Sequence, residues 1–506
     1  MKATLMSLGL VLPSAAQIAN PVIWADFADL DIFRVDDTFY YSASNMHYSP
    51  GAPILRSWDL INWQFLGHSI PELSFGPEYY LEGGGNAYIA GTWASTMRYR
   101  ESTGTFHWMG CIGGVTYVYT APDAAGPWGQ ASTIPSCYYD AGMLVSSNDT
   151  LYVAYGNNGI TVAELSPDGL SEARSQVVYP NDDDAGYLEG SRFYEPDGIF
   201  YIFLRRLLIS DAGTPVESCG YPHQGGIVDT ANGDWYYMAF VDCYPAGRVP
   251  VLAPITWADD GWPFVDLVDG ALWRETYDAP NIEPPQTPIN EFEPGTDLFM
   301  GPALSPHWEW NHNPDNSKWA FRSNGDGDGG LTLHTASVTD DLYTAKNTLT
   351  RRILGPASAG TLHLSSLSCM ADGDRAGLSL LRQSSAWIGI VNQGGTNRIS
   401  VTTGLEMGTD WDTISTGSEL ASAPLVGGDQ VWLRADAAVG PGTVKTGQFS
   451  YSLDGVEFVE LGGSVALNST WEFFMGYRFG IFNYATAELG GSVDVVSFDI
   501  AMLATD

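Results

Sequence analysis

Asn232-Gly233-Asp234-Trp235-Tyr236-Tyr237-Met238-Ala239-Phe240 is a turn signal followed at once by an aromatic run, and the chain writes this pattern repeatedly. Asp36-Asp37 leads into Thr38-Phe39-Tyr40-Tyr41-Ser42, and Asn148-Asp149 into Leu151-Tyr152-Val153-Ala154-Tyr155. Asp197-Gly198 leads into Phe200-Tyr201-Ile202-Phe203-Leu204. Gly, Asn and Asp accept the tight dihedral angles of a hairpin turn, and β-branched or aromatic side chains suit the pleated strand that follows. A hairpin that recurs along the chain points to radial β-sheet repeats, as in a propeller. Anchors near the presumed inner strands fall at Asp29, Asn86, Asp140, Glu189 and His223. Most of their spacing approaches the ~40–50 residues that one blade needs. The last interval is short, because Arg205-Arg206-Leu207-Leu208-Ile209-Ser210-Asp211-Ala212-Gly213-Thr214 barely leaves room for outer strands. Four or five blades fit between residue 20 and about residue 290.

Beyond the repeats, Asp278-Ala279-Pro280-Asn281-Ile282-Glu283-Pro284-Pro285-Gln286-Thr287-Pro288 forbids regular structure and suits a semi-rigid connector. Longer alternating strands follow, such as Gln430-Val431-Trp432-Leu433-Arg434-Ala435-Asp436, and an Asp454-Gly455 hairpin turn. They read as a two-sheet sandwich. The expected organisation is all-β: 1–16 a secretory signal, 17–285 the propeller, 286–296 the linker and 297–506 the sandwich. The signal rests on Lys2, the apolar stretch from Leu5 to Val11 and the small residues Ser14-Ala15-Ala16. The sandwich is expected to cover sheet edges.

A formal charge of −37 argues against nucleic acid, whose phosphates would be repelled, and against anionic membranes. A neutral polysaccharide meets no such barrier. No apolar run is long enough to span a bilayer. Secretion fits the sequons Asn148-Asp149-Thr150 and Asn468-Ser469-Thr470. Five cysteines, Cys111, Cys137, Cys219, Cys243 and Cys369, leave at least one without a partner in the chain.

Three strand-like runs carry carboxylates: Trp24-Ala25-Asp26-Phe27-Ala28-Asp29-Leu30-Asp31-Ile32, Tyr139-Asp140-Ala141-Gly142-Met143 and Tyr187-Leu188-Glu189-Gly190-Ser191-Arg192. Hydrolysis of a glycosidic bond takes one carboxylate to activate water and one protonated carboxyl to release the leaving sugar. A third acid can hold the proton donor in place. Strand alternation puts Asp29 and Asp31 on one face, so periodicity does not choose between them. Arg192 is a candidate partner for Glu189.

In the order and spacing of these motifs the chain resembles glycoside hydrolase family 43. Supporting stretches are Ser57-Trp58-Asp59-Leu60-Ile61-Asn62-Trp63, Gly91-Thr92-Trp93-Ala94-Ser95, Pro222-His223-Gln224-Gly225-Gly226 and Tyr477-Arg478-Phe479-Gly480-Ile481-Phe482. The resemblance implies a five-bladed β-propeller followed by a concanavalin-like, jelly-roll sandwich. It implies Asp29 as general base, Asp140 as pKa modulator and Glu189 as general acid of an inverting enzyme. Inverting enzymes separate base and acid by ~6.5–9.5 Å to admit the water. Ala28 stands where the family usually has Pro. Trp93, Arg248 and, less strongly, His47 are expected to bind substrate. His223 is a candidate metal ligand, for a structural Ca²⁺ near the propeller axis; no cofactor is required for the reaction. The expected activity is release of terminal α-L-arabinofuranosyl residues from arabinoxylan or arabinan outside the cell. The alternatives are a β-D-xylosidase or a non-catalytic carbohydrate-binding protein.

Overall fold

The computed structural model describes residues 17–181, 186–204, 213–269, 272–282, 289–322, 329–426, 428–442 and 444–504. The expected signal at 1–16, the acidic run at 182–184, most of the short stretch at 205–214 and residues 286–288 of the linker lie outside these residues.

The four look-alike runs are strands, as their turns require. Four four-stranded antiparallel sheets begin with Ala28–Val35, Thr96–Arg100, Gly142–Val145 and Gly225–Asp229, and each ends on a strand farther from the axis. The expectation of a five-bladed propeller is corrected: four full blades stand among the described residues. Between the third and last sheets stands a two-stranded sheet, Arg192–Tyr194 paired with Tyr201–Phe203. It falls in the short interval foreseen in the sequence, which supplies two strands among the described residues. Neighbouring first strands touch one another, and Gly225–Asp229 lies against Ala28–Val35, which closes the ring. Gln17–Ala19 pairs with Thr276–Asp278 and ties the two ends of the propeller together. Asn86, expected near an inner strand, instead sits in a loop where its amide donates to the Trp411 carbonyl.

Arg192 is the keystone of this ring. It is fully buried and donates to the carbonyls of Leu30, Asp29, Ala141 and Ser191 at 2.6–3.1 Å. It therefore binds three inner segments together and is not spent on Glu189. Close approach has the same effect at Gly142, where a Cβ would stand 2.4 Å from the Ser191 carbonyl oxygen.

The C-terminal part is a sandwich of two eight-stranded sheets. One of them takes its edge strand from the propeller: Tyr48–Ser49 pairs with Trp308–Asn311. The linker is not a free spacer either. Glu291 receives the backbone N–H of Phe65, and Phe292 packs edge-on against Phe27. Between the two parts lies Glu309, wholly buried, accepting from Asn45, His68 and Arg352 at 2.8–3.1 Å and from Arg478. Burial alone would raise its pKa, but Arg352, Arg478 and His68 outweigh it and hold the carboxyl well below the usual range. Disulfides join Cys111 to Cys137 and Cys219 to Cys243, and Cys369 is free and exposed. Among the described residues no helix is long and apolar enough to cross a membrane.

Candidate active site

The inner strands start at one end of the propeller, and there they deliver Asp29, Asp140 and Glu189 into one cavity of about 590 Å³. A cavity of this size suits a small ligand. Asp29 sits at a bulge: the pairing register shifts between Ala28 and Asp31, and its φ is +54°. The bulge breaks the alternation that would have put Asp29 and Asp31 on one face. Asp29 turns into the cavity, only 6 % exposed, with Ser44 Oγ donating to Oδ2 at 2.5 Å and Arg248 Nη1 to Oδ1 at 2.7 Å. Asp31 stays fully buried and accepts from Thr96 Oγ1, the Met97 N–H and Arg98 Nη1. Asp26 has a different task. Its carboxylate accepts the N–H groups of Arg248 and Gly476, which fastens the sandwich to the propeller beside the cavity.

Asp140 accepts the N–H of Gly190 at 3.1 Å, the residue directly after Glu189. Its carboxyl is pushed up to about 7, first by burial, then by the charges of Asp29 and Glu189; Arg192 and the Gly190 N–H oppose this only in part. Asp140 therefore holds its proton to a much higher pH than an ordinary carboxyl does. Glu189 is half-buried, with the Tyr139 hydroxyl 3.5 Å from Oε2.

Trp93 and Arg248 also line the cavity. Burial would lower the pKa of Arg248, but Asp29 and the other acids around it raise it further above its ordinary value. His223 is on the wall, its Nε2 3.2 Å from the Asp242 carboxylate and its ring stacked on Phe240. Calcium takes six to eight oxygen ligands. Among the described residues no group of three or more His, Cys, Asp or Glu is placed to hold a metal ion. His47 is a correction. It is fully buried between the two parts of the chain, bonded to Asn311 Oδ1 at 3.0 Å and packed on Tyr48, Tyr88 and His312. Aromatic rings and the Asn311 side chain surround it, and it does not line the cavity.

Sequence reasoning missed Trp471 and Phe474, which reach the cavity from the sandwich. The Phe474 carbonyl accepts from Arg248 Nε at 2.9 Å, and its ring meets Trp93 edge-on at 4.8 Å. The sandwich is therefore a wall of the site. Tyr139 and Tyr187, next to the acid motifs, complete an exposed aromatic rim with Trp471. Their neighbourhood to Asp140 and Glu189 in sequence was the available signal.

Residues 18–221 match the model of glycosyl hydrolases family 43, and residues 296–501 match the β-xylosidase C-terminal concanavalin A-like domain. A β-xylosidase of Formosa agariphila is 29 % identical, with 66 % of this chain and 68 % of that protein covered. A non-reducing end α-L-arabinofuranosidase of Bacteroides ovatus is 28 % identical, covering 60 % of this chain and 62 % of that one. The solved structure of a family 43 hydrolase, engineered at its active site to display endo-xylanase and exo-arabinofuranosidase activity, is 41 % identical. It superposes with a TM-score of 0.92 and covers 96 % of this chain and 100 % of that chain. With that coverage and a cavity that gathers three carboxyl groups, the chain belongs to glycoside hydrolase family 43 and is a glycoside hydrolase.

Proposed function

We propose that the protein is a secreted, inverting exo-α-L-arabinofuranosidase acting on arabinoxylan or arabinan. The observation that carries this reading is the cavity at the end of the propeller axis, walled by Trp93 and Phe474 and holding Asp29, Asp140 and Glu189. A cavity walled by the sandwich residues Trp471 and Phe474 suits the end of a chain or a side branch, whereas an open groove would accept the middle of a polymer. Asp29 is the base: Ser44 and Arg248 each occupy one of its oxygens, and a carboxylate keeps further lone pairs for the attacking water. Glu189 is the acid that protonates the leaving oxygen. Asp140 holds the backbone just after that acid and, through its own raised pKa, keeps a proton in the cluster. Arg248 lies between base and sandwich, placed to hydrogen-bond the terminal sugar as well as Asp29.

A β-D-xylosidase is the second reading, favoured by the β-xylosidase relatives. Both sugars are pentoses, so the cavity's volume does not separate them. Assays of the purified protein on nitrophenyl α-L-arabinofuranoside and nitrophenyl β-D-xyloside do. Higher kcat/KM on the xyloside overturns the first reading, and no turnover on either, with sugar binding retained, favours a binding protein. Proton NMR of fresh product is expected to show the inverted anomer, since a water-activating base leaves no covalent intermediate.

A further inference from the structure

Each inner strand that carries a catalytic-end residue continues through the propeller and emerges at the opposite end. There the same five segments line a second cavity, of about 650 Å³, formed by residues such as Phe33, Arg98, Leu144, Phe193 and Val228. It shares no residue with the catalytic cavity. The fully buried Asp31 and Arg192, with Arg98 beside them, form the floor between the two.

This second cavity is built like a recognition site. Arg98 is 8 % exposed, and its Nη1 is engaged by Asp31 and the Met97 carbonyl. Its Nη2 is buried without a hydrogen-bond partner, although Arg98 lines the cavity. An unmet guanidinium N–H is costly unless a ligand or water supplies an acceptor. At the mouth, Arg34 donates to the Asp229 carboxylate at 2.6 Å, and Glu195 accepts from the Ser147 N–H and hydroxyl. Tyr99 and Trp235 add aromatic surface.

The charges decide the ligand class. Asp36, Glu101, Glu195 and Asp229 outnumber Arg34 and Arg98, so an anion is repelled. No three of the acids are arranged to hold a cation among the described residues. Carboxylates that accept, guanidinium groups that donate and aromatic faces that cover C–H surface together suit a neutral polyhydroxyl ligand. We propose that the far end of the propeller axis is a second, non-catalytic saccharide site that takes a short neutral oligosaccharide. Binding there holds a carbohydrate chain on the molecule without occupying the catalytic cavity.

The test is calorimetric titration of the full chain carrying Glu189→Gln, which slows turnover, with xylotriose as probe. The expected result is a binding event weakened at least tenfold by Arg98→Lys and by Glu195→Gln, each added to that background. Arg98→Lys keeps a cation opposite Asp31 while removing the second guanidinium nitrogen. Any event at the catalytic cavity is expected to survive both changes and be lost in Trp93→Ala. Should Arg98→Lys unfold the protein, Glu195→Gln, at a half-buried position outside the core, decides alone. Absence of any event sensitive to either substitution overturns the proposal, as does competition by sodium sulfate in place of xylotriose.

Discussion

At Asp29 the chain departs from strand geometry, and that departure is what exposes a carboxylate to the cavity while its neighbour two residues on stays in the core. Asp29→Asn and Glu189→Gln are expected to lower kcat by ~10²–10⁴-fold, the range of general acid–base contributions, with circular dichroism unchanged. Asp140 makes a separate prediction about stability. Its folded pKa of about 7 lies above its ordinary value of 3.8. The ionised form is therefore disfavoured in the folded state: the cost is absent below 3.8, grows between 3.8 and about 7, and is full above that. Asp140→Asn removes it, so the variant is expected to be more stable than wild type at pH 8 by a few kcal/mol, roughly, and no more stable at pH 3. Its activity falls all the same, because a neutral amide cannot hold the proton. Thermal melts at the two pH values, together with a turnover assay, check both signs. His47→Ala is expected to destabilise by about 2–4 kcal/mol through the space it vacates. It should leave KM unchanged in the protein that stays folded, in contrast to a residue that touches sugar.

Among the elements, the loop carrying Trp471 and Phe474 shows what a linear reading can and cannot find. The three acids were legible as carboxylates on strand-like runs, but only the resemblance chose Asp29 over Asp31, and Trp93 and Arg248 were named beside it. Trp471 lies hundreds of residues from Asp29 in sequence, and only the packing of sandwich on propeller makes them neighbours. Ser44 was hidden for a related reason: its bond to Asp29 depends on a bulge that strand periodicity does not encode. The turn-and-strand grammar located the blades well, but a strand signal such as Phe200 to Leu204 does not reveal how many partners it finds, and here the sheet has two strands. Trp471→Ala is expected to raise KM severalfold with a smaller change in kcat, since the ring covers the mouth and touches no reacting atom. An equal fall in kcat would give the ring a part in the transition state.

At the scale of the whole molecule, buried histidines gather between propeller and sandwich. His47, His68, His307 and His312 all have pKa values lowered by burial first, and His312 falls to about 3. A histidine with a depressed folded pKa binds more protons when unfolded, so stability is lost as pH falls below the ordinary value of 6.5. Melting temperature is expected to drop steadily from pH 7 to pH 4, and Glu309→Gln, which strands Arg352 and Arg478, to cost about 3–5 kcal/mol at pH 7. A flat melting profile would mean that the interface admits water. The edge strand lent by Tyr48–Ser49 to the sandwich has a further consequence. Evolution and protein engineers often shuffle hydrolases as interchangeable cassettes, but here a cut after the first two hundred and ninety residues leaves a ladder with a missing rung on each side. Grafting a foreign tail onto this catalytic head would have to restore backbone pairing, as well as bring a compatible surface, before any hybrid could work.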